Sequence, residues 1–116
     1  MNKTIRVEWL EGHGRSVRLI ETAYREWRGK IYTADHGEIV NGSSIPRFLW
    51  PLFGSPFVGK HREASVYHDL LCVSQQIPCA DTHRMYYDFC REDGVNAIKA
   101  WLMYKAILAF GPKWEK

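Results

Sequence analysis

Nowhere does the chain approach the roughly 20 consecutive apolar residues that a membrane-spanning helix needs, so no span is expected. The first residues, Met1-Asn2-Lys3-Thr4-Ile5-Arg6, run on into Glu8 and Glu11 without an apolar core, which does not read as a signal peptide. Only three cysteines are present, Cys72, Cys79 and Cys90, and an odd count argues against the disulfide framework of a small secreted domain. Reduced thiols and a cytoplasmic place of action are the expectation. Charge of one sign is also scarce: 16 Lys and Arg stand against 13 Asp and Glu, a net charge of +3. The basic residues are scattered, so a nucleic-acid partner is not expected. There is no Walker or dinucleotide glycine pattern, no Gly-x-Ser-x-Gly elbow, no internal repeat and no low-complexity tract.

What is there fits one domain of 116 residues, with 46% apolar and 14% aromatic residues available for a core. Residues 1–40 carry strand signals. Ile5, Val7 and Trp9 alternate with Arg6 and Glu8, Val17 and Leu19 alternate with Ser16 and Arg18, and Ile31 to Thr33 is short and β-prone. Residues 20–28 fit either a strand or one or two helical turns. Asp35-His36-Gly37 reads as a turn. Residues 41–59 form a loop with a short helix near Pro46, capped by Ser43 or Ser44 and limited by Pro51. From residue 60 to 112 the pattern is helical. Helices are expected over about Lys60 to Val73, Ala80 to Asp93 and Asn96 to Phe110. The first should bury Ala64, Tyr67 and Leu71, the third Ile98, Trp101, Leu102, Leu108 and Ala109. The expected class is α+β, a small N-terminal antiparallel β part packed on a C-terminal three-helix half.

The chemistry-bearing residues concentrate around His68-Asp69 in the first long helix. Histidine titrates near neutrality and suits a general base, and a carboxylate orients such a base or holds a metal. Adjacent helical residues diverge by about 100°, so His68 and Asp69 serve different neighbours, with Arg47 and Arg62 as candidate partners of Asp69. Cys72 follows His68 by one helical turn, and His83 precedes Cys90 by two. If the helices pack antiparallel, His68, Cys72, His83 and Cys90 make a candidate tetrahedral zinc set. A buried cysteine also serves simply as a small hydrophobe. His61 falls near the face of His68, whereas His13 and His36, in glycine-flanked turns, are expected at the surface.

Three segments carry a resemblance: Asn41-Gly42-Ser43-Ser44-Ile45-Pro46-Arg47-Phe48-Leu49-Trp50, Arg62 through His68-Asp69 to Leu71, and Gly94-Val95 through Tyr104 to Phe110-Gly111. Across residues 30–114 the chain resembles a family of small phage and prophage proteins, the domain of unknown function numbered 1353. The family usually has Asp where this chain has Asn41. It also carries an Ala-Asp pair in the second helix whose Asp aligns with His83, or with Asp81 if the helix start slips. Fewer carboxylates favour nitrogen ligands over calcium, and they also fit an activity that has been lost. The His-Asp helix pair is similar in layout to that of phospholipase A2, although no glycine-rich calcium loop is present. The resemblance therefore implies one of two things. The first is a phage-encoded protein that binds a host or virion protein, through a patch such as Phe48, Trp50, Phe53 and Phe57. The second is a small hydrolase with His68, Asp69, Ser44 and Arg47 at its site, with zinc, less readily calcium, as its metal. Its place would be the host cytoplasm or the virion.

Overall fold

The structure is a computed structural model that describes residues 3–10, 16–41, 45–53 and 59–114, with the backbone alone at residues 47, 52 and 53. The architecture is α+β: among the described residues five short antiparallel strands come first and three long helices follow. The chain divides into two compact units, Met1–Asn41 and Gly42–Lys116. The change of sequence texture at residue 41 is thus a structural boundary.

In the first unit, β1 (Val7–Trp9), β2 (Val17–Leu19) and β5 (Ile39–Val40) form an antiparallel sheet in the order β1-β2-β5. Period-2 alternation buries Val17 and Leu19 completely and turns Arg18 outward. There Arg18 meets its cross-strand partner Glu8 at 3.0 Å. The ambiguous segment resolves as β3 (Ala23–Trp27), paired with β4 (Lys30–Ala34) as a hairpin. The loop decides the matter. Arg28 and Gly29 have φ of 51° and 79°, the two left-handed residues that a tight hairpin turn with the right twist demands. The Arg28 guanidinium then lies over the Trp27 ring at 4.4 Å. Strand β5 was not legible from its two residues; pairing with β2 makes it a strand.

In the second unit a 3-10 turn, Arg47–Leu49, leads into the four-residue helix α1 (Trp50–Phe53). Pro51 sits in its first turn, where a missing N–H costs nothing. Helices α2 (Arg62–Ser74), α3 (Cys79–Glu92) and α4 (Ala97–Phe110) follow, each within two residues of its expected limits. Their ends are set locally. Gln75 closes α2 at φ 54° and donates its N–H to Leu71 O, and Gly94 at φ 98° follows α3. The Asn96 side chain accepts from the N–H groups of Ile98 and Lys99 at 2.9 and 3.3 Å. Asn96→Ala should therefore cost about 1 kcal/mol, read as a lower urea midpoint by circular dichroism, with Asn96→Asp recovering most of it.

Helix α3 packs between α2 and α4. Tyr67 of α2 meets Phe89 of α3 edge to face at 5.5 Å, and Met85, Tyr86, Met103 and Ile107 fill the same interior. One expectation is corrected here. Helix α4 buries Ala100, Met103 and Ile107. Of the face expected to be inward, Ile98 is 74%, Leu102 50% and Trp101 46% exposed, Ala109 is exposed and Leu108 half-buried. The helix is apolar on every side, so its periodicity carries little information about which side faces the core.

Candidate functional site

Two residues one turn apart on α2, His68 and Cys72, face two residues one turn apart on α3, Cys79 and His83. Side chains at i and i+4 share a helix face, so the contact between the helices brings both pairs together. His68 Nε2 lies 2.8 Å from His83 Nδ1. Cys72 Sγ lies 3.8 Å from His68 Nδ1 and 3.7 Å from its Nε2. Cys79 Sγ lies 3.3 Å from His83 Nε2. Both histidines are only 1% exposed.

The carbonyl of Pro112, just past the end of α4, orders the protons. It lies 2.9 Å from His83 Nε2, and a carbonyl can only accept, so Nε2 carries a hydrogen and donates it. In the neutral ring Nδ1 is then bare and accepts from His68 Nε2–H. The Cys72 sulfur lies beside the His68 ring, about as near Nε2 as Nδ1. The result is a directed chain from His68 through His83 to Pro112 O. Cys79 S–H donates to the same carbonyl at 3.4 Å. The Trp114 indole N–H donates to Ile77 O at 3.0 Å, so residues 112–114 are fastened to the α2–α3 pair by three hydrogen bonds.

The electrostatics agree with neutral rings. Burial, with a smaller contribution from His83, pushes His68 down to about 3. Burial also lowers His83; the bond to Pro112 opposes this and the nearby Lys113 adds to it. The Cys72 thiol is pushed up to about 12 by burial, then by Asp69 and Cys79. These are desolvation effects, which favour the uncharged form of each group.

The expected site residues are thus brought together in part. His68, Cys72 and His83 meet. Asp69, the neighbour of His68, is buried at 4% exposure. Cys90 is fully buried one turn from Tyr86, whose phenol is raised by burial and then by Cys90. The place of a second sulfur near His83 belongs not to Cys90, as expected, but to Cys79, which stands one helical turn from His83 as Cys72 does from His68. Among the described residues, no three His, Cys, Asp or Glu side chains are placed to hold a metal ion, since His83 directs its two nitrogens to His68 and to Pro112. Ser43 and Ser44 lie outside the described residues, as do His13, Phe57 and the side chains of Arg47 and Phe53. Arg62 donates to Gly59 O at 2.8 Å. His61 is buried at the far end of α2, beside a pocket with Asn96 and Lys99, and not with His68. His36 is exposed, as expected.

A surface pocket of about 380 Å³ is lined by Pro78, Cys79, Ala80, His83, Leu108, Lys113 and Trp114. His83 and Cys79 contribute to its wall, whereas His68 lies behind them.

Comparison with known proteins adds the lineage. A family model described as "Protein of unknown function (DUF1353)" matches residues 19–107. The uncharacterized protein y4jT of Sinorhizobium fredii (strain NBRC 101917 / NGR234) is 42% identical over 78 residues, covering 67% of this chain and 23% of that protein. The uncharacterized protein y4iH of the same strain is 39% identical over 74 residues, covering 64% and 31%. The chain therefore spans less than a third of the length of these curated relatives. No solved structure matches. The family model runs from β2 almost to the end of α4, across both histidines and all three cysteines, and the chain belongs to the DUF1353 family.

Proposed function

We propose that this chain acts as a binding module whose outer α4 face docks an acidic amphipathic helix of a protein partner. The observation that carries this reading is the apolar exposure of α4. Ile98, Trp101 and Leu102 stand out to solvent, joined at the far end by Phe110 at 59% and Phe48 at 66% exposure. Phe48 packs edge to face on Phe110 at 5.4 Å. Trp50, by contrast, is half-buried and spends its indole N–H on Ile45 O. An apolar cluster of this kind is an interaction surface more often than an accident.

Charge selects the occupant. Helix α4 contains Lys99 and Lys105 and no acidic residue. Lys105 lies within the exposed stripe with its Nζ 5.6 Å from the Trp101 ring. In a symmetric pair of copies the same patch faces itself, so one cationic face without carboxylates meets another. A partner helix with carboxylates beside its apolar stripe meets no such repulsion. The resemblance to phage and prophage proteins makes a host or virion protein the class in which to look for it.

The test uses two designed helical peptides with the same leucine stripe, one flanked by glutamates and one by lysines. The acidic peptide should bind, more weakly as salt rises, and shift amide resonances along α4. Trp101→Glu and Leu102→Glu should each lower its affinity about tenfold or more. Equal binding of both peptides, affinity unchanged by these substitutions, or a dimer formed through this face would overturn the reading.

The hydrolase reading, with His68 as base beside Asp69, Ser44 and Arg47, has less support. His68 lies behind His83, and both of its nitrogens face side chains of the protein.

A further inference from the structure

We propose that Cys79 is a thiol-modification site, one that forms mixed disulfides with small disulfides carrying an anionic group. The three thiols occupy unlike places. Cys90 is fully buried, and Cys72 is buried with its thiol held far on the protonated side. Disulfide exchange needs a thiolate and room for a second sulfur to approach, and neither position offers both. Cys79 is half-buried on the wall of the pocket that it shares with His83, Leu108, Lys113 and Trp114.

Three features of the surroundings suit a sulfur anion there. The His83 Nε2–H, fixed in that tautomer by Pro112, lies 3.3 Å away and can turn to the sulfur once the thiol proton, now given to Pro112 O, has left. Cys79 is the first residue of α3, and Pro78 supplies no side-chain cap. The sulfur thus belongs to the first turn of the helix, whose positive end favours an anion, offset in part by Asp81 in the same turn. Lys113 stands on the same wall, anchored through a bond from Nζ to Ala109 O at 2.9 Å.

The pocket also selects the reagent. Among the described residues its lining contains the Lys113 ammonium and no carboxylate, so an anionic disulfide is drawn in and a cationic one repelled. Trp114, held by its bond to Ile77 O, and Leu108 give the apolar part of the ligand a surface. A volume of about 380 Å³ suits a small thiol and no more, near the low end of ligand pockets. In the reaction the Cys79 thiolate attacks one sulfur of the small disulfide. A protein–ligand S–S bond forms, the original S–S bond breaks, and the other half departs as a thiolate. Cys79 is oxidised, the departing half is reduced, and the thiol proton passes to water.

The experiment exposes the reduced, native full chain to glutathione disulfide, which is anionic, and to cystamine, which is cationic. Adducts are located by mass spectrometry, and each rate is divided by that of free N-acetylcysteine with the same reagent. The first adduct should lie on Cys79, with a normalised rate for glutathione disulfide about tenfold or more above that for cystamine. Lys113→Glu should abolish or invert that preference, and His83→Gln should slow both reagents. Lys113 is exposed, so its variant remains informative even if His83→Gln unfolds. Adducts spread evenly over the three cysteines, a first adduct on Cys72 or Cys90, or equal normalised rates for the two reagents would overturn the proposal.

Discussion

Phe89→Ala should destabilise the helical unit by about 3–5 kcal/mol, the range for truncating a fully buried phenylalanine. Phe89 has no exposed surface and lies on the inner side of α3, against the Tyr67 ring of α2. Removing the ring takes away its transfer free energy and its edge-to-face contact, and it leaves a cavity between two helices. Small domains have only about 5–15 kcal/mol of stability in all, so this single change should bring the variant close to unfolding at body temperature. Urea denaturation followed by circular dichroism measures it. Ile98→Ala is the matched control. At 74% exposure it should shift the free energy by less than about 0.5 kcal/mol. If the two variants lost equal stability, the assignment of inner and outer sides in the helical unit would be wrong.

The second large effect is a loss of stability in mild acid. Burial holds His68 at about 3 in the folded chain, against about 6.5 for a free histidine. Above pH 6.5 neither state carries the proton, and His68 contributes no pH dependence. As the pH falls below 6.5 the unfolded chain takes up a proton that the folded chain refuses until near pH 3. Stability therefore declines across that window by about 1.4 kcal/mol per pH unit. At pH 5 the loss is on the order of 2 kcal/mol. His83, also lowered by burial, adds to the loss in the same direction. The readout is the slope of unfolding free energy against pH between 7 and 5, compared between the parent and His68→Gln. The substitution should flatten the slope whatever it does to stability at pH 7. An unchanged slope would mean that His68 takes up its proton as readily in the folded chain as in the unfolded one, and the neutral, directed chain from His68 to Pro112 would fall with it.

The two effects meet at one place. The helix contact that buries Phe89 also sets His68 against His83, and His83 in turn fastens the segment after α4 through Pro112. That fastening keeps Trp114 and Lys113 on the wall of the Cys79 pocket. The histidine pair thus serves as a neutral buried brace, and the reactive chemistry passes to its pocket-side neighbour Cys79.

Much of this was legible in the amino-acid sequence because it is decided within a few residues. The α+β order, the strand alternation of Val17 and Leu19, and three helices ended by Gln75, Gly94 and Gly111 follow from side-chain period and from local backbone needs. So did the proximity of His68 and Cys72, one turn apart on a single helix. Three features were decided only by tertiary structure. Strand β5 exists because β2 offers it a ladder, not because Ile39 and Val40 demand one. The buried side of α4 is the Ala100, Met103 and Ile107 side, a choice that a helix apolar all round cannot express in its own pattern; packing against α3 selects it. The meeting of His68 with His83 is the third, because the register and rotation of α3 against α2 determine which turn of one helix meets which turn of the other. Period and capping act along one chain segment. Register, rotation and enclosure depend on two segments at once, and that is why they appear only when the chain is folded.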